Sequence, residues 1–292
     1  MRVTENSLTE TYLYNQQQIL KSKTKIQTQL ATDSKIQTIS DDVTGSLDSM
    51  KINSNLKKND TYLANVEEVT QFMNTTLNAM DNMSSEIQKI LNLAVSADNP
   101  FNSQNLTSMG ESVKNSLSAI VQNLNVKYND MPVFNGTNFK DSPVTLDVNG
   151  KAVLSAADFS GEIQAQVSQS VKQTLNISGS KITGTGLFTA INNIIDSLSS
   201  GTIPTAAQLK DLQDSYTSIL NLQSVGGQTI NRMDDLKQML TNNQSNLRQM
   251  LADKQGIDAA ALTTDLNYKD YLLQMTNKLL ARNYPATLFD YL

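Results

Sequence analysis

The stretch LKKNDTYLANVEEVTQFMNTTLNAMDNMSSEIQKILNLAV, Leu56–Val95, decides the fold class. Within it Leu63, Val66, Thr70, Met73, Leu77, Met80, Ser84, Ile87, Leu91 and Ala94 follow one another at alternating spacings of three and four. Val69, Met83 and Ile90 widen the stripe. Such spacing places one apolar face along a long helix with a coiled-coil-like seam. Asp98-Asn99-Pro100 ends it, because proline disfavours helix in the residue before it. A second helix follows, with Leu106, Val113, Leu117, Ile120 and Leu124 on one face. The short connection makes the two an antiparallel pair.

Outward from this pair the rhythm changes. From Met131 to Gly186 the turn signals Pro132, Asn135-Gly136, Pro143 and Asn149-Gly150 interrupt short alternating runs. Val144-Leu146-Val148, then Asn149-Gly150, then Ala152 and Leu154 predict a β-hairpin with a tight turn. Ile163-Ala165-Val167 and Val171–Ile177 are further strand candidates. Leu187, Ile191, Ile194, Ile195 and Leu198 predict a short helix stopped by Gly201.

The helical seam then returns. Thr205-Ala206-Ala207-Gln208 has the spacing of a capping box. Beyond it Leu209, Leu212, Tyr216, Ile219, Ile230, Met233, Leu240, Leu247 and Leu251 share one heptad frame, interrupted by Gln223, Gly226, Lys237 and Gln244. Gly226-Gly227 costs about 1 kcal/mol per glycine against alanine in a helix interior, and fits either a close helix approach or a bend. After Gly256 a last amphipathic helix carries Leu262, Leu266, Leu273 and Leu280, with Tyr268, Leu272, Met275 and Leu279 beside them. Tyr12, Ile19, Ile26 and Leu30 mirror it at the other end.

The expected fold is mainly α with a small β insert: a long antiparallel helical bundle built from both termini, plus a compact β-rich domain. The expected segments are an N-terminal axial helix at 1–55, a helix pair at 56–130 and a β-rich outer insert with a short helix at 131–200. A returning long helix at 201–255 and a C-terminal axial segment at 256–292 complete the chain. Leu63, Val66, Met73, Leu77, Met80, Ile87, Leu91, Leu209, Leu212, Tyr216, Ile230, Met233, Leu240 and Leu247 are the expected seam within one subunit. Tyr12, Ile19, Ile26, Leu30, Leu262, Leu266, Leu273, Leu280, Phe289 and Leu292 are expected to pack between subunits. The terminal segments are polar over most of their circumference, so alone they are expected to be marginal and to order on assembly.

Composition agrees with thin helical layers. The 292 residues are 39% hydrophobic but only 5% aromatic, with no Trp, which suits small interhelical contacts better than one thick core. Charges interleave, 23 Lys and Arg against 28 Asp and Glu, leaving no basic stripe for nucleic acid and no basic amphipathic face for a membrane. No run of about 18 apolar residues could span a bilayer. The sequence contains neither His nor Cys. A Ser-His-Asp triad, a Cys-His dyad and a zinc site built from those ligands are therefore excluded. Asp41-Asp42 and Asp234-Asp235 lie apart from other ligand candidates and read as solvated surface, not as acid–base pairs or Ca²⁺ ligands. Asn-x-Ser/Thr triplets such as those at Asn74, Asn82, Asn105, Asn135 and Asn176 read mostly as chance in so Asn-rich a chain. No catalytic, cofactor or metal residue is expected, and the chain reads as a structural subunit, not an enzyme.

Several stretches resemble the flagellin superfamily of bacterial axial proteins, and within it the hook–filament junction proteins. They are the opening Met1-Arg2-Val3-Thr4, Leu30-Ala31-Thr32-Asp33-Ser34-Lys35-Ile36 with Ser40-Asp41-Asp42, Val133-Phe134-Asn135-Gly136-Thr137, Gly226 through Met233, and the apolar ending with Leu288, Phe289 and Leu292. The family's usual glycine near Asp33-Ser34 is absent, and no proline follows Asp42. The resemblance implies a subunit joining hook to filament, with a flagellin filament subunit as the alternative. It implies an extracellular flagellar location reached by type III export without a cleaved signal peptide. The implied partners are copies of itself, an adjacent hook-associated protein, flagellin and an export chaperone.

Overall fold

The computed structural model describes residues 2–99 and 104–283, with side chains left out at 2–9, 280 and 282–283. The element order is α1 (Arg2–Thr32), α2 (Val43–Ser96), α3 (Leu106–Leu124), β1 (Lys127–Tyr128), β2 (Met131–Pro132), β3 (Val144–Leu146), β4 (Ala152–Leu154), β5 (Gln164–Gln166), β6 (Lys172–Thr174), α4 (Gly179–Thr183), α5 (Leu187–Ser199), α6 (Ala206–Gln255) and α7 (Ala259–Asn283). It is a mainly α chain with three small antiparallel strand pairs. The contacts divide it into two compact units, residues 59–242 and residues 1–58 with 243–292.

The 59–242 unit holds a continuous apolar core running from Val66 to Leu240. Its centre is α3 against α5. Leu187, Ile191, Ile194, Ile195 and Leu198 of α5 are buried, as are Val113, Leu117, Ile120 and Leu124 of α3. Gly110 lets α5 close on α3, since a Cβ there would stand 3.3 Å from Leu198 Cβ. Burying each such side chain contributes about 1.5–3 kcal/mol, so this small helix anchors the unit.

Helix α2 begins at Val43, not at Leu56 where the strong seam starts. Asp42 supplies the reason: its Oδ1 accepts the Gly45 N–H at 2.8 Å, an N-cap. The α2–α3 pair is antiparallel, with Asn82 donating to Asn123 at 3.2 Å. The capping box of α6 is formed as expected: Thr205 N–H donates to Gln208 Oε1 at 2.8 Å, and Gln208 N–H to Thr205 Oγ1 at 3.3 Å.

Strands β3 and β4 pair Val144 with Leu154 and Leu146 with Ala152, but the predicted strand through Val148 stops early. Asp147 Oδ1 accepts the N–H groups of Asn149 and Lys151, both at 2.8 Å. This draws the chain into a five-residue turn and leaves Val148 fully exposed. Strands β5 and β6 fall within the two predicted runs. The β1–β2 hairpin carried no glycine signal. Asn129 (φ 48) and Asp130 (φ 63) make its turn, residue types that tolerate the left-handed region. It sets Tyr128 edge-on to Phe72, ring centres 5.8 Å apart.

Candidate assembly surface

Within the 59–242 unit the expected seam is a packing surface. Val66, Met73, Met80 and Ile87 of α2 are buried, as are Leu212, Tyr216, Met233 and Leu240 of α6. Leu63, Leu77, Leu91, Leu209 and Ile230 are partly buried against them. Polar groups set the antiparallel register: Asn59 Nδ2 donates to Leu240 O at 2.7 Å, Gln223 Nε2 to Asp81 Oδ1 at 2.8 Å and Gln88 Nε2 to Tyr216 Oη at 2.5 Å. None of these bonds was visible in a hydrophobic pattern, although Gln223 marked its level as a break in the heptad. Gly226 is resolved as a close helix approach. A Cβ there would meet Leu77 Cδ2 at 2.7 Å and Met73 Sδ at 3.3 Å, whereas Gly227 faces open space. Of the Asn-x-Ser/Thr triplets named above two are inaccessible: Asn135 and Asn176 are buried, and Asn176 donates to Gly161 O and accepts from Ile163 N–H.

The other unit is built differently. Helices α1 and α7 run antiparallel, tied by Gln16 to Asn277 at 2.9 Å and Lys23 to Asp270 at 2.5 Å. Among the described residues only Ile26 and Ile52 are buried apolar side chains in this unit. Tyr12, Ile19, Leu30, Leu262, Leu266 and Leu273 are half-buried, as is Leu247, which falls in this unit and not in the seam of the first. Leu280 lies in α7, its side chain outside the described ones; Phe289 and Leu292 lie outside the described residues.

Large apolar side chains stay exposed alongside. Leu13, Tyr14 and Leu20 do so on α1, and Tyr268, Tyr271, Met275 and Leu279 at helical spacing on α7. Ile39 and, on the first turns of α2, Val43, Leu47 and Met50 make a third group, which the sequence reading missed because it began the helix at Leu56. A unit that, among the described residues, buries two apolar side chains and exposes twelve large ones, Met250 of α6 included, has an unfilled capacity for contact.

Asp41 and Asp42 are structural. Asp42 caps α2, while Asp41 gathers Lys25 Nζ at 2.6 Å and the Thr38 and Gln37 N–H groups at 2.8 and 3.1 Å. The Lys25 bond, with these N–H donors, holds the Asp41 carboxyl well below the usual carboxylate range. Asp48 is lowered too, by Lys254 at 3.0 Å. Among the described residues no helix is long and apolar enough to cross a membrane.

Residues 3–139 match the family model of the bacterial flagellin N-terminal helical region. No curated protein matches the chain in sequence. Among solved structures it is similar to a protein from Vibrio parahaemolyticus assigned as flagellar hook-associated, at 17% identity and a TM-score of 0.65, covering 74% of this chain and 100% of that one. It is similar to FlgL of Bacillus cereus, at 15% identity and a TM-score of 0.58, covering 69% and 99%. It is also similar to flagellar hook-associated protein-3 of Legionella pneumophila, at 10% identity and a TM-score of 0.60, covering 70% and 98%. At these identities the likeness is one of fold. The chain is therefore similar to the bacterial flagellin N-terminal helical region over residues 3–139, and its fold is like that of solved flagellar hook-associated proteins.

Proposed function

We propose that the chain is a structural subunit of the bacterial flagellum that joins hook to filament, placed in the extracellular axial structure after type III export. The observation that carries this reading is the α1–α7 unit. Its helices are long and paired, yet leave apolar rows on α1, α7 and the start of α2 uncovered. Helices of this kind gain most of their stability from a partner surface. In the proposed assembly Tyr12, Ile19, Leu30, Leu262, Leu266, Leu273 and Leu280, with Phe289 and Leu292, form the packing layer between copies, while Ile26, expected there from the sequence, is buried within the chain. The exposed residues beside them widen it. Neighbouring hook-associated protein and flagellin meet the two edges of the layer, and an export chaperone keeps the apolar rows from premature contact.

The flagellin N-terminal match keeps a filament subunit as the second reading. Purified chain seeded with filament fragments and viewed by electron microscopy separates the two. A cap of a few subunit layers is the outcome expected for a junction protein; long filament extension would assign the chain to the filament.

A further inference from the structure

We propose that the α1–α2 connection is a clasp that folds in the free subunit, ahead of the helix ends that order on contact with neighbours. It rests on the assembly reading only in that the ends wait for a neighbour; the clasp itself is testable on the isolated chain.

Polar bonds concentrate at one end of the unit. Asp33 takes a left-handed conformation (φ 51) after α1, which lets Ser34 N–H reach back to Gln29 O at 3.3 Å. Gln29 Nε2 donates to Lys35 O at 3.0 Å, and Gln37 Nε2 to Ser34 O at 2.7 Å and Thr32 Oγ1 at 2.6 Å. Asp41 then closes the loop on Lys25, Gln37 and Thr38. Lys35 N–H donates to Gln255 O at 2.8 Å, fastening the end of α6, and Lys254 adds its ion pair to Asp48.

Packing concentrates there as well. Every buried residue among those described in the unit, Ile26, Gly45, Ser46, Ser49 and Ile52, lies on the last turns of α1 or the first turns of α2. Gly45 is where loop and helix close: a Cβ would strike the Asp42 carboxylate and stand 2.9 Å from Ile36 Cδ1. By contrast residues 10–22 and 266–279 hold no buried side chain. Local stability follows such differences in burial and hydrogen bonding. A clasp formed early fixes the direction in which α1 and α7 leave it. It also presents Ile39, Val43, Leu47 and Met50 as a ready-made face, removing ordering cost from the assembly step.

Hydrogen exchange with mass-spectrometric readout on the free full-length chain tests this. Peptides within 34–52 are expected to exchange slowly, and those within 10–22 and 266–279 fast. Exchange of 34–52 as fast as 10–22, or equal protection of all three, would overturn the proposal. Asp41→Asn should speed exchange in 34–46 several-fold and leave 59–242 unchanged; no change in 34–46 would count against the clasp. Gly45→Ala gives a test of sign. In a plain helix alanine slows exchange, because it is the better helix former. With the clasp formed it displaces Asp42 and Ile36, so 34–52 should exchange faster, and slower exchange there would overturn the idea.

Discussion

Gly226 and Gly227 are neighbours in α6 with opposite surroundings, and they separate packing from propensity at single positions. Gly226→Ala forces a methyl into Leu77 and Met73 and should destabilise the 59–242 unit by about 1–3 kcal/mol, the usual range for overpacking. Gly227→Ala meets nothing within 4 Å and should stabilise it by up to about 1 kcal/mol. Urea unfolding of the two variants checks the pair, and equal shifts of the same sign would contradict the close approach. Asp41 supports a pH prediction. Its carboxyl lies below the unfolded value of about 3.9, so its contribution is complete above that pH. It is lost as pH falls through the lower, folded value. The side-chain carboxyl resonance of Asp41 should therefore keep its ionised shift when unperturbed carboxylates have half titrated. A midpoint near 3.9 would mean that the Lys25 and Thr38 bonds do not persist in solution.

At the scale of elements, helices α5 and α7 occupy opposite regimes. Ile191→Ala opens a cavity in the α3–α5 contact and should cost about 2–5 kcal/mol in unfolding of the 59–242 unit. Leu273→Ala, half-buried on α7, should leave that unfolding unchanged while lowering incorporation into flagella. Loss of stability without loss of incorporation would refute the division of labour. The same contrast explains what the sequence revealed. The α2 and α6 seams, the α5 face, the capping box at Thr205 and Gln208 and the three later strand runs were legible, because burial against a neighbour leaves a period in the residues. The start of α2 was not, since its first turns expose Val43, Leu47 and Met50 and bury Gly45, Ser46 and Ser49, the reverse of the usual pattern. The β1–β2 turn was hidden by Asn129 and Asp130 standing where glycine is the usual signal. Strand β3 was overextended because alternation at Val148 carries no trace of the Asp147 hydrogen bonds that end it. The assembly surface was half legible: stripes of leucine and isoleucine marked α1 and α7, but no pattern could say that, among the described side chains, only Ile26 would be buried within the chain.

Over the whole molecule, the proposed assembly has a self-sufficient 59–242 unit and an α1–α7 unit that depends on neighbours. The first has one continuous apolar core, and the second has two buried apolar side chains among the described residues. The stability of the chain and its capacity to assemble should thus reside in different residues and respond to different changes. The most direct measurement is flagellar incorporation of a chain truncated after Gly256, which removes α7 and leaves 59–242 intact. The expected result is a soluble protein whose 59–242 unit unfolds at the same denaturant concentration as in the full chain, and which is absent from the flagellum. Normal incorporation of the truncated chain would contradict it.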